Sequence, residues 1–384
     1  MVDCNWNYVC CYSYLCFVLI AFCLLYGLCS GGFSEAFVVI LIYGTGADGI
    51  KEVAVAIVAV FDGHNGAESS EMASKLLLEY FVQHTYFLLD AVFYVSKTST
   101  ETCLHKRDRD HENLLHRWKE ILGSEWFQNT FSRNHDDSFH LGILREALLR
   151  AVHDIDAKFS EEASRNNFHS GSTAAIVLVV DDKILVANVG DSKAILCSKN
   201  FQSPKEAKDL LLKLYRQKEH DGSVSVCKAA SSHGLTHFVV KGLTSDHHPD
   251  RDDERNRVEK AGGQVQNWGG VPRINGQLAI TRAIGDLPFK KYGVISAPEV
   301  TDWQPLTAND SYLVLASDGV FEKMSLQDIC DLLWEVHNYS NMRSDCAHSS
   351  YSLADLIVNN ALKKGSMDNL SAIVIPLESV SKLS

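Results

Sequence analysis

The first 50 residues of this chain contain no lysine and no arginine. The first Lys is Lys51, the first Arg is Arg107, and residues 4–34 contain no charge of either sign. Within them Val9–Cys29 is an apolar stretch of 21 residues, long enough to span a bilayer. Signals and anchors usually carry basic residues that orient them, and here these are absent. Two interpretations stay open: a signal or membrane anchor, or an apolar segment that is buried in the fold or foreign to it.

Evenly spaced cysteines are also lacking. Of 11 cysteines, six lie in the first 29 residues and five in the remaining 355. This distribution excludes a secreted disulfide scaffold, whose cysteines run through the folded part, and the later cysteines lack the paired spacing of zinc ligands. We expect these five to be ordinary thiols in a reduced, disulfide-free body. They are Cys103, Cys197, Cys227, Cys330 and Cys346.

Internal repeats and low-complexity tracts are missing as well. The 384 residues are 46% hydrophobic and 22% charged, a globular composition that excludes disorder as the main description. The net charge of −12 argues against nucleic acid as a partner. The length permits two domains or one large sandwich.

What is present from residue 51 onward is an alternation of apolar runs and turns. Val53–Phe61 is a continuous β-branched run typical of a buried strand. Ser172–Val180 and Lys183–Val189 form a predicted hairpin around Asp181-Asp182. Further strands are predicted at Lys193–Ser198, Ser311–Ala316 and Leu370–Pro376, and helices at Ala67–Val82, 110–122, Leu141–Ala163, Pro204–Glu219, Asp250–Ala261, Leu326–Val336 and Ser352–Lys363.

Three aspartates stand beside strands in a similar local setting. Asp62 and Asp318 each follow an apolar strand and precede a glycine, and Asp368 shortly precedes the closing strand. A rigid strand can hold a carboxylate as an oxygen ligand, and glycine lets a backbone carbonyl approach an ion. Carboxylates and carbonyls favour Mg²⁺ or Mn²⁺ over Zn²⁺. Taken singly, each Asp-Gly pair is more typical of a simple turn than of a metal site. His64 taken alone would more often be a surface or packing histidine.

The order of these segments resembles the type 2C metal-dependent protein serine/threonine phosphatases. Seven segments match the family in order and cover most of the chain from Val53 to Pro376. They are VFDGHNGAESSEMAS (60–74), GSTAAIVLVVDDKILVANVGDSKAIL (171–196), LTSDHHPDRDDERNRVEKAGGQV (243–265), PRINGQLAITRAIGD (272–286), SAPEV (296–300), LVLASDGVFEKMS (313–325) and GSMDNLSAIVI (365–375).

The resemblance implies an α+β fold in which two antiparallel β-sheets pack as a sandwich with helices on both outer faces, a four-layer αββα arrangement. It implies one phosphatase domain over residues 51–378, with insertions near 95–140 and 200–235, after an apolar segment at 1–50. It also implies hydrolysis of phosphoserine and phosphothreonine in proteins by water that bridges two Mn²⁺ or Mg²⁺ ions. We expect phosphoprotein substrates and a monomer, located in the cytoplasm or nucleus or anchored to a membrane by residues 9–29.

By the same resemblance, Asp62 bridges the two ions and the carbonyl of Gly63 binds one of them. Asp318 and Asp368 complete the second ion's ligands, and Asn369 orients Asp368. His64 is the general acid that protonates the leaving oxygen. Asp191 helps to hold a third ion together with Glu322, where the family more often has Asp.

Other residues of these segments receive structural interpretations. Arg282 either contacts the substrate phosphate or forms a salt bridge that supports its loop. His247 and His248 belong to a structural loop, and the charged run Asp250–Lys260 is expected to be a solvated helix face. The segment Gly171-Ser172-Thr173 is characteristic of the family, and we interpret its role as primarily structural.

One family feature is missing. Members carry an N-terminal strand with an Arg, which binds the substrate phosphate, followed by Glu-Asp, whose Glu binds a metal. This chain has no Arg before Arg107, and Glu35 is not in the family context. Losing this strand would leave a sheet edge unpaired. Either the apolar N-terminal segment replaces the core strands poorly, or the chain reflects an altered start or splice of a longer phosphatase. The alternative function is a catalytically impaired pseudophosphatase that binds phosphoproteins.

Overall fold

In a computed structural model of the chain, the structure describes residues 6–8, 19–21, 33–44, 50–100, 138–203, 235–342 and 352–377. The predicted helices at 110–122 and Pro204–Glu219 lie outside these residues, as do most of both predicted insertions and Cys103, Cys227 and Cys346. Of the apolar stretch Val9–Cys29, only Leu19–Ala21 is described, as a short strand. Among the described helices, none is long and apolar enough to cross a membrane.

The elements follow the predicted order. The strands are β1 Trp6–Tyr8, β2 Leu19–Ala21, β3 Phe33–Gly44, β4 Ile50–Phe61, β5 Gly63–His64, β6 Gly171–Ser172, β7 Ala174–Val180, β8 Lys183–Val189, β9 Lys193–Gln202, β10 Leu235–Gly242, β11 Val265–Trp268, β12 Val271–Ile274, β13 Ile284–Gly285, β14 Glu299–Val300, β15 Gln304–Pro305, β16 Asp310–Ala316 and β17 Ala372–Pro376. The helices are α1 Glu68–Thr100, α2 Ser138–Asn166, α3 Asp252–Lys260, α4 Leu287–Lys290, α5 Asp318–Phe321, α6 Leu326–Met342 and α7 Leu353–Lys363.

The chain divides into two compact units, each built from separate stretches. The sandwich unit comprises Met1–Asp62, Ala174–Asp246 and Gln304–Ser384. The helical unit comprises Gly63–Thr173 and His247–Trp303.

The sandwich unit contains two antiparallel sheets. One has the strand order β8-β7-β4-β3, and the other the order β10-β9-β16-β17. Alternate residues of the first sheet, such as Val58, Val177 and Val186, pack against Leu196 and Leu313 of the second. Because side chains alternate between faces along a strand, one set of every second residue builds this core. The predicted α+β sandwich is confirmed.

Helices cover the other face of the second sheet. Ile195 and Val314 point to this side and pack against Leu333 of α6 and Ile357 of α7. Helix α7 begins at a capping box, because the side chain of Ser352 accepts a hydrogen bond from the backbone N–H of Asp355 at 3.1 Å and the Asp355 carboxylate accepts one in return. Helix and sheet therefore share one apolar layer within the sandwich unit.

The edge of β4 is paired with a strand from the N-terminal region. Strand β3 runs antiparallel to β4 from the pair Phe33↔Phe61 to the pair Gly44↔Ile50. A β-rich segment of the N-terminal region thus supplies the backbone hydrogen bonds that an exposed edge would lack. In this register Glu35 lies opposite Ala59.

The helical unit is organised around the two long helices α1 and α2, which pack together. Helix α1 is much longer than the predicted Ala67–Val82 because its apolar spacing continues past residue 82. A small three-stranded sheet, in the order β13-β6-β5, lies in the same unit. This sheet carries His64, so it matters for the chemistry below.

Two of the predicted free thiols are instead joined. Cys197 on β9 and Cys330 on α6 form a disulfide between residues 133 positions apart, with Cα atoms 5.6 Å apart. Both are fully buried in the core between α6 and the second sheet. The prediction of ordinary thiols was wrong for this pair, because cysteines that meet through tertiary packing leave no local spacing signal. Cross-links of long loops typically contribute about 2–4 kcal/mol to stability.

Candidate metal centre and catalytic histidine

Asp62 lies directly after the last residue of the buried strand β4. Val58, Val60 and Phe61 are at most 3% exposed, and Asp62 follows directly as a half-buried residue. Such a run is stable only inside the sandwich, which fixes the backbone that carries the carboxylate.

Two further loops bring acidic groups together in the sandwich unit. Asp318 begins α5 directly after β16, and Asp368 lies in the loop before β17. One carboxylate oxygen from each of Asp318, Glu322 and Asp368 lies within 4.8 Å of the others. Gly319 permits this approach, because a Cβ there would stand 2.6 Å from the carbonyl oxygen of Asn369. Glycine at this position is therefore required by the site.

Burial and the neighbouring charges favour the protonated forms of Asp62 and Asp318. Burial raises the pKa of Asp62 to about 8, assisted by the charge of Asp318, a hydrogen bond to it, and the charges of Asp191 and Asp368. Burial likewise raises the pKa of Asp318 to about 6, assisted by Asp191 and Asp368. These interactions show that Asp62, Asp191, Asp318 and Asp368 form one electrostatic cluster.

Asp191 and Asn369 occupy supporting positions. Asp191 lies in the turn between β8 and β9, where Gly190 has a left-handed φ of 94° that a side chain would strain. The backbone N–H of Asn369 donates to Asp368 Oδ1 at 2.7 Å. This contact holds one carboxylate oxygen of Asp368.

The donor set fits hard divalent cations. Among the described residues, the side chains of this cluster offer carboxylate oxygens, and Mg²⁺ and Mn²⁺ prefer oxygen ligands. Burial, together with the neighbouring carboxylate charges, raises the pKa of Asp62 and of Asp318, and a bound divalent cation would favour their ionised forms instead.

A pH dependence follows from Asp62. Folded and metal-free, Asp62 keeps its proton up to about pH 8, whereas its ordinary pKa is 3.8. The folded state then binds more protons across this range, so the free energy of unfolding falls as pH rises. We predict that, between pH 6 and pH 8, the free energy of unfolding of the metal-free wild-type protein falls by about 2 kcal/mol more than that of the Asp62→Asn variant. Denaturant unfolding at both pH values measures this difference, and Mn²⁺ should abolish it at pH 8. Parallel pH profiles for the two proteins would contradict the prediction.

His64 lies in the helical unit on β5, two residues after Asp62 in the chain. Its Nε2 atom is 2.7 Å from Oδ2 of Asp286, which is completely buried, while the His64 side chain is 29% exposed. The sequence interpretation named His64 but missed Asp286. The two residues are 222 positions apart, and the Gly285-Asp286 turn was the only local signal.

Arg282 is bound in a salt bridge. Its Nη2 donates to Glu254 Oε1 at 2.8 Å, and its Nη1 donates to the carbonyl of Ala297 at 3.0 Å. These contacts support the second interpretation of Arg282, as a residue that supports its loop. His247 is also structural: it is fully buried, with Nε2 3.0 Å from Glu299 Oε2.

Glu254 corrects the interpretation of the charged run Asp250–Lys260 as a solvated face. Its carboxylate is fully buried within α3. Arg257 donates to it through Nη1 at 2.8 Å, Arg282 donates as described, and the Thr281 hydroxyl donates as well. The helix therefore buries one acidic residue among cations that belong to the helical unit.

Comparisons with known proteins agree with the motifs. The family model for protein phosphatase 2C matches residues 87–208 and 221–370. The Arabidopsis thaliana "Putative protein phosphatase 2C 50" is 54% identical over 327 residues, which cover 84% of this chain and 74% of that protein. The Oryza sativa "Putative protein phosphatase 2C 76" is 50% identical over 329 residues, 84% of this chain and 65% of that protein.

The fold is shared with distant solved structures. The crystal structure of a serine-threonine phosphatase 2C from Toxoplasma gondii aligns with a TM-score of 0.54 and 16% identity, covering 98% of this chain and 99% of that one. At that identity the alignment supports the fold alone. Taken with the family model and the plant relatives, the finding is that this chain belongs to the protein phosphatase 2C family of serine/threonine protein phosphatases.

Proposed function

We propose that the chain hydrolyses phosphoserine and phosphothreonine in proteins by a metal-dependent attack of water. The observation that carries this proposal is the carboxylate cluster that β4, the α5 turn and the loop before β17 build in the sandwich unit. Family membership supports the phosphatase reaction, and the cluster supports its dependence on metal ions.

Asp62 would bridge two ions, with the carbonyl of Gly63 as a further ligand and Asp318 and Asp368 on the second ion. Asp191 and Glu322 would hold a third. When bound, Mn²⁺ or Mg²⁺ makes a water molecule nucleophilic by lowering its pKa. The chain's own contribution is to fix this donor set on strand ends and turns that cannot easily move.

His64 would give a proton to the Ser or Thr oxygen as it leaves phosphorus. An alkoxide is a poor leaving group near neutral pH, so a positioned proton donor is expected to contribute about 10²–10⁴-fold to the rate. His64 has the partial exposure that such a donor needs in order to meet a substrate.

The phosphate-binding Arg of the family has no counterpart upstream of Asp62, and Arg282 is engaged by Glu254. Because a bidentate Arg contact is lost, we expect weak substrate binding and therefore a high KM. The pseudophosphatase alternative differs from this expectation, since it requires metal binding without turnover.

A direct assay separates the two functions. Purified protein should release phosphate from a phosphothreonine peptide when Mn²⁺ is added, and chelation should stop the release. Calorimetry should show Mn²⁺ binding in the same preparation. Metal binding without release at any Mn²⁺ or peptide concentration would overturn the proposal for this chain and favour the pseudophosphatase.

A further inference from the structure

We propose that Asp286 is a positioning residue that holds the imidazole of His64 in one orientation and one tautomer. The inference rests on the proposed function, in which His64 donates a proton to the leaving oxygen. Asp286 would not touch the substrate; it would act only through the histidine ring.

The contact between the two residues is direct. Asp286 Oδ2 lies 2.7 Å from His64 Nε2, and the Asp286 side chain is 0% exposed. Its other oxygen, Oδ1, is buried and has no hydrogen-bond partner among the described residues. A buried carboxylate is costly unless it is paired. The side-chain partner that the structure provides for this carboxylate is His64, which indicates that the pairing is the reason for its burial.

Backbone geometry aims the carboxylate at the ring. Asp286 has a left-handed φ of 52° and follows Gly285, whose φ is 82°. A non-glycine residue in this region is uncommon, and such outliers cluster at functional sites. Two contacts hold the turn: the N–H of Gly285 donates to Asp156 Oδ1 at 2.8 Å, and the N–H of Asp286 donates to the carbonyl of Ser170 at 3.1 Å.

The small sheet brings the partners together. In its register Gly171 of β6 pairs with His64 on one side and with Gly285 on the other. A Cβ on Gly171 would stand 2.2 Å from Asp286 Oδ2 and 2.5 Å from His64 Nε2. Real Cβ atoms do not come so close to their neighbours. The lack of a side chain at position 171 is therefore what makes room for the pair.

The contact between His64 Nε2 and Asp286 determines which nitrogen of the His64 ring can donate a proton to the leaving oxygen. With Nε2–H donating to Asp286, the ring acts as an acid in its imidazolium form, whose second and exchangeable proton is on Nδ1. In the proposed step, the bond from phosphorus to the Ser or Thr oxygen breaks as the bond to the attacking water oxygen forms. Nδ1 gives its proton to the leaving oxygen, and the proton that the water loses restores Nδ1 through solvent. Asp286 keeps its hydrogen bond to Nε2 throughout.

The test uses two substrates that differ in their need for a proton. The leaving oxygen of a phosphothreonine peptide needs protonation, whereas the p-nitrophenolate of p-nitrophenyl phosphate leaves without it. In the Asp286→Asn variant we expect kcat with Mn²⁺ to fall at least about 100-fold on the peptide and less than about 5-fold on the aryl phosphate. Asn tolerates the left-handed backbone of position 286, so this variant should fold.

Gly171→Ala provides a second variant that changes no functional group. It should show the same selective loss, because the added methyl group displaces the pair. Each variant has a matched control. Asp154→Asn breaks another His–Asp contact, that of His84 Nε2 with Asp154 Oδ2 at 2.9 Å, and Gly142→Ala adds a methyl group where nothing lies within 4 Å. Both controls should leave both substrates unaffected. Equal losses on both substrates, or no loss on either, in Asp286→Asn would overturn the proposal.

A measurement without turnover separates this inference from the proposed function. Nitrogen-15 NMR of the histidine rings, with His64 assigned through a His64→Gln variant, should show the Nε2–H tautomer in the wild-type protein and its loss in Asp286→Asn. If wild-type protein hydrolyses neither substrate, the proposed function fails, and the NMR result alone decides the pairing. An Nδ1–H tautomer, or spectra identical in wild type and variant, would overturn it.

Discussion

Replacing Asp62 by Asn should lower the Mn²⁺-dependent turnover of a phosphothreonine peptide by at least about 1000-fold, or about 4 kcal/mol in activation free energy. Asp62 is the member of the carboxylate cluster whose pKa is raised most, because it is buried and the charges of Asp318, Asp191 and Asp368 act on it. It is also the proposed bridging ligand. An amide keeps the shape of the side chain but removes the negative charge that a divalent cation requires.

Measurements of stability and of metal binding distinguish this loss of turnover from a loss of the folded state. The metal-free Asp62→Asn protein should be at least as stable as wild type at pH 8, because the amide replaces a carboxyl group whose ionisation is opposed by burial and by the neighbouring charges. Calorimetry should show weaker Mn²⁺ binding. Asp182→Asn is the matched control, since Asp182 is exposed in the turn at the other end of strand β8. Turnover within about 10-fold of wild type in Asp62→Asn would show that Asp62 is not the bridging ligand.

Replacing Glu254 by Gln should lower the free energy of unfolding by about 3–5 kcal/mol at pH 7, the usual effect of removing one member of a buried ion pair. Burial alone would raise the pKa of Glu254. Hydrogen bonds from Arg257 and Arg282 and from the Thr281 hydroxyl outweigh burial and hold the pKa well below its ordinary 4.5. Gln would leave these partly exposed guanidinium groups facing a neutral amide at a fully buried position.

Loss of the Glu254 carboxylate should also change how the free energy of unfolding depends on pH. A carboxyl with a lowered pKa stabilises the fold fully above its unfolded pKa, and this contribution is lost as pH falls below it. The gap in stability between wild type and Glu254→Gln should therefore be complete at pH 7 and narrow below about pH 4.5. Urea unfolding at pH 7 and pH 4 measures it. Glu259→Gln, on the exposed face of the same helix, should change stability by less than about 0.5 kcal/mol. A constant gap across pH would mean that the Glu254 charge is not the cause.

Local patterns were enough to predict much of the fold. The hairpin of β7 and β8 was predicted to within two residues, because two buried β-rich runs flank a polar turn. Strand β10 was missed, since Leu235–Gly242 mixes polar and apolar residues beside a predicted insertion. The paired edge strand β3 was missed as well, because a long apolar segment does not reveal its partner.

In the candidate site, the carboxylates could be predicted and their partners could not. Asp62, Asp318 and Asp368 stand beside strands within segments that resemble a family, so their roles could be inferred one by one. Asp286, Glu254 and the disulfide of Cys197 with Cys330 depend on contacts between distant parts of the chain. Such contacts are fixed by tertiary packing, which one sequence without its fold does not display.

The pairing of β9 with β16 sets an order of events during synthesis. Lys193 of β9 lies opposite Ala316 of β16, so the centre of the second sheet cannot close until more than 120 residues have followed Lys193 out of the ribosome. Until then, among the strands that the structure describes, β9 has β10 as its one neighbour in the sheet. Pairings of such high sequence separation fold slowly and leave strand edges exposed in the meantime. The nascent chain should therefore depend on chaperones over the interval between the synthesis of β10 and that of β16.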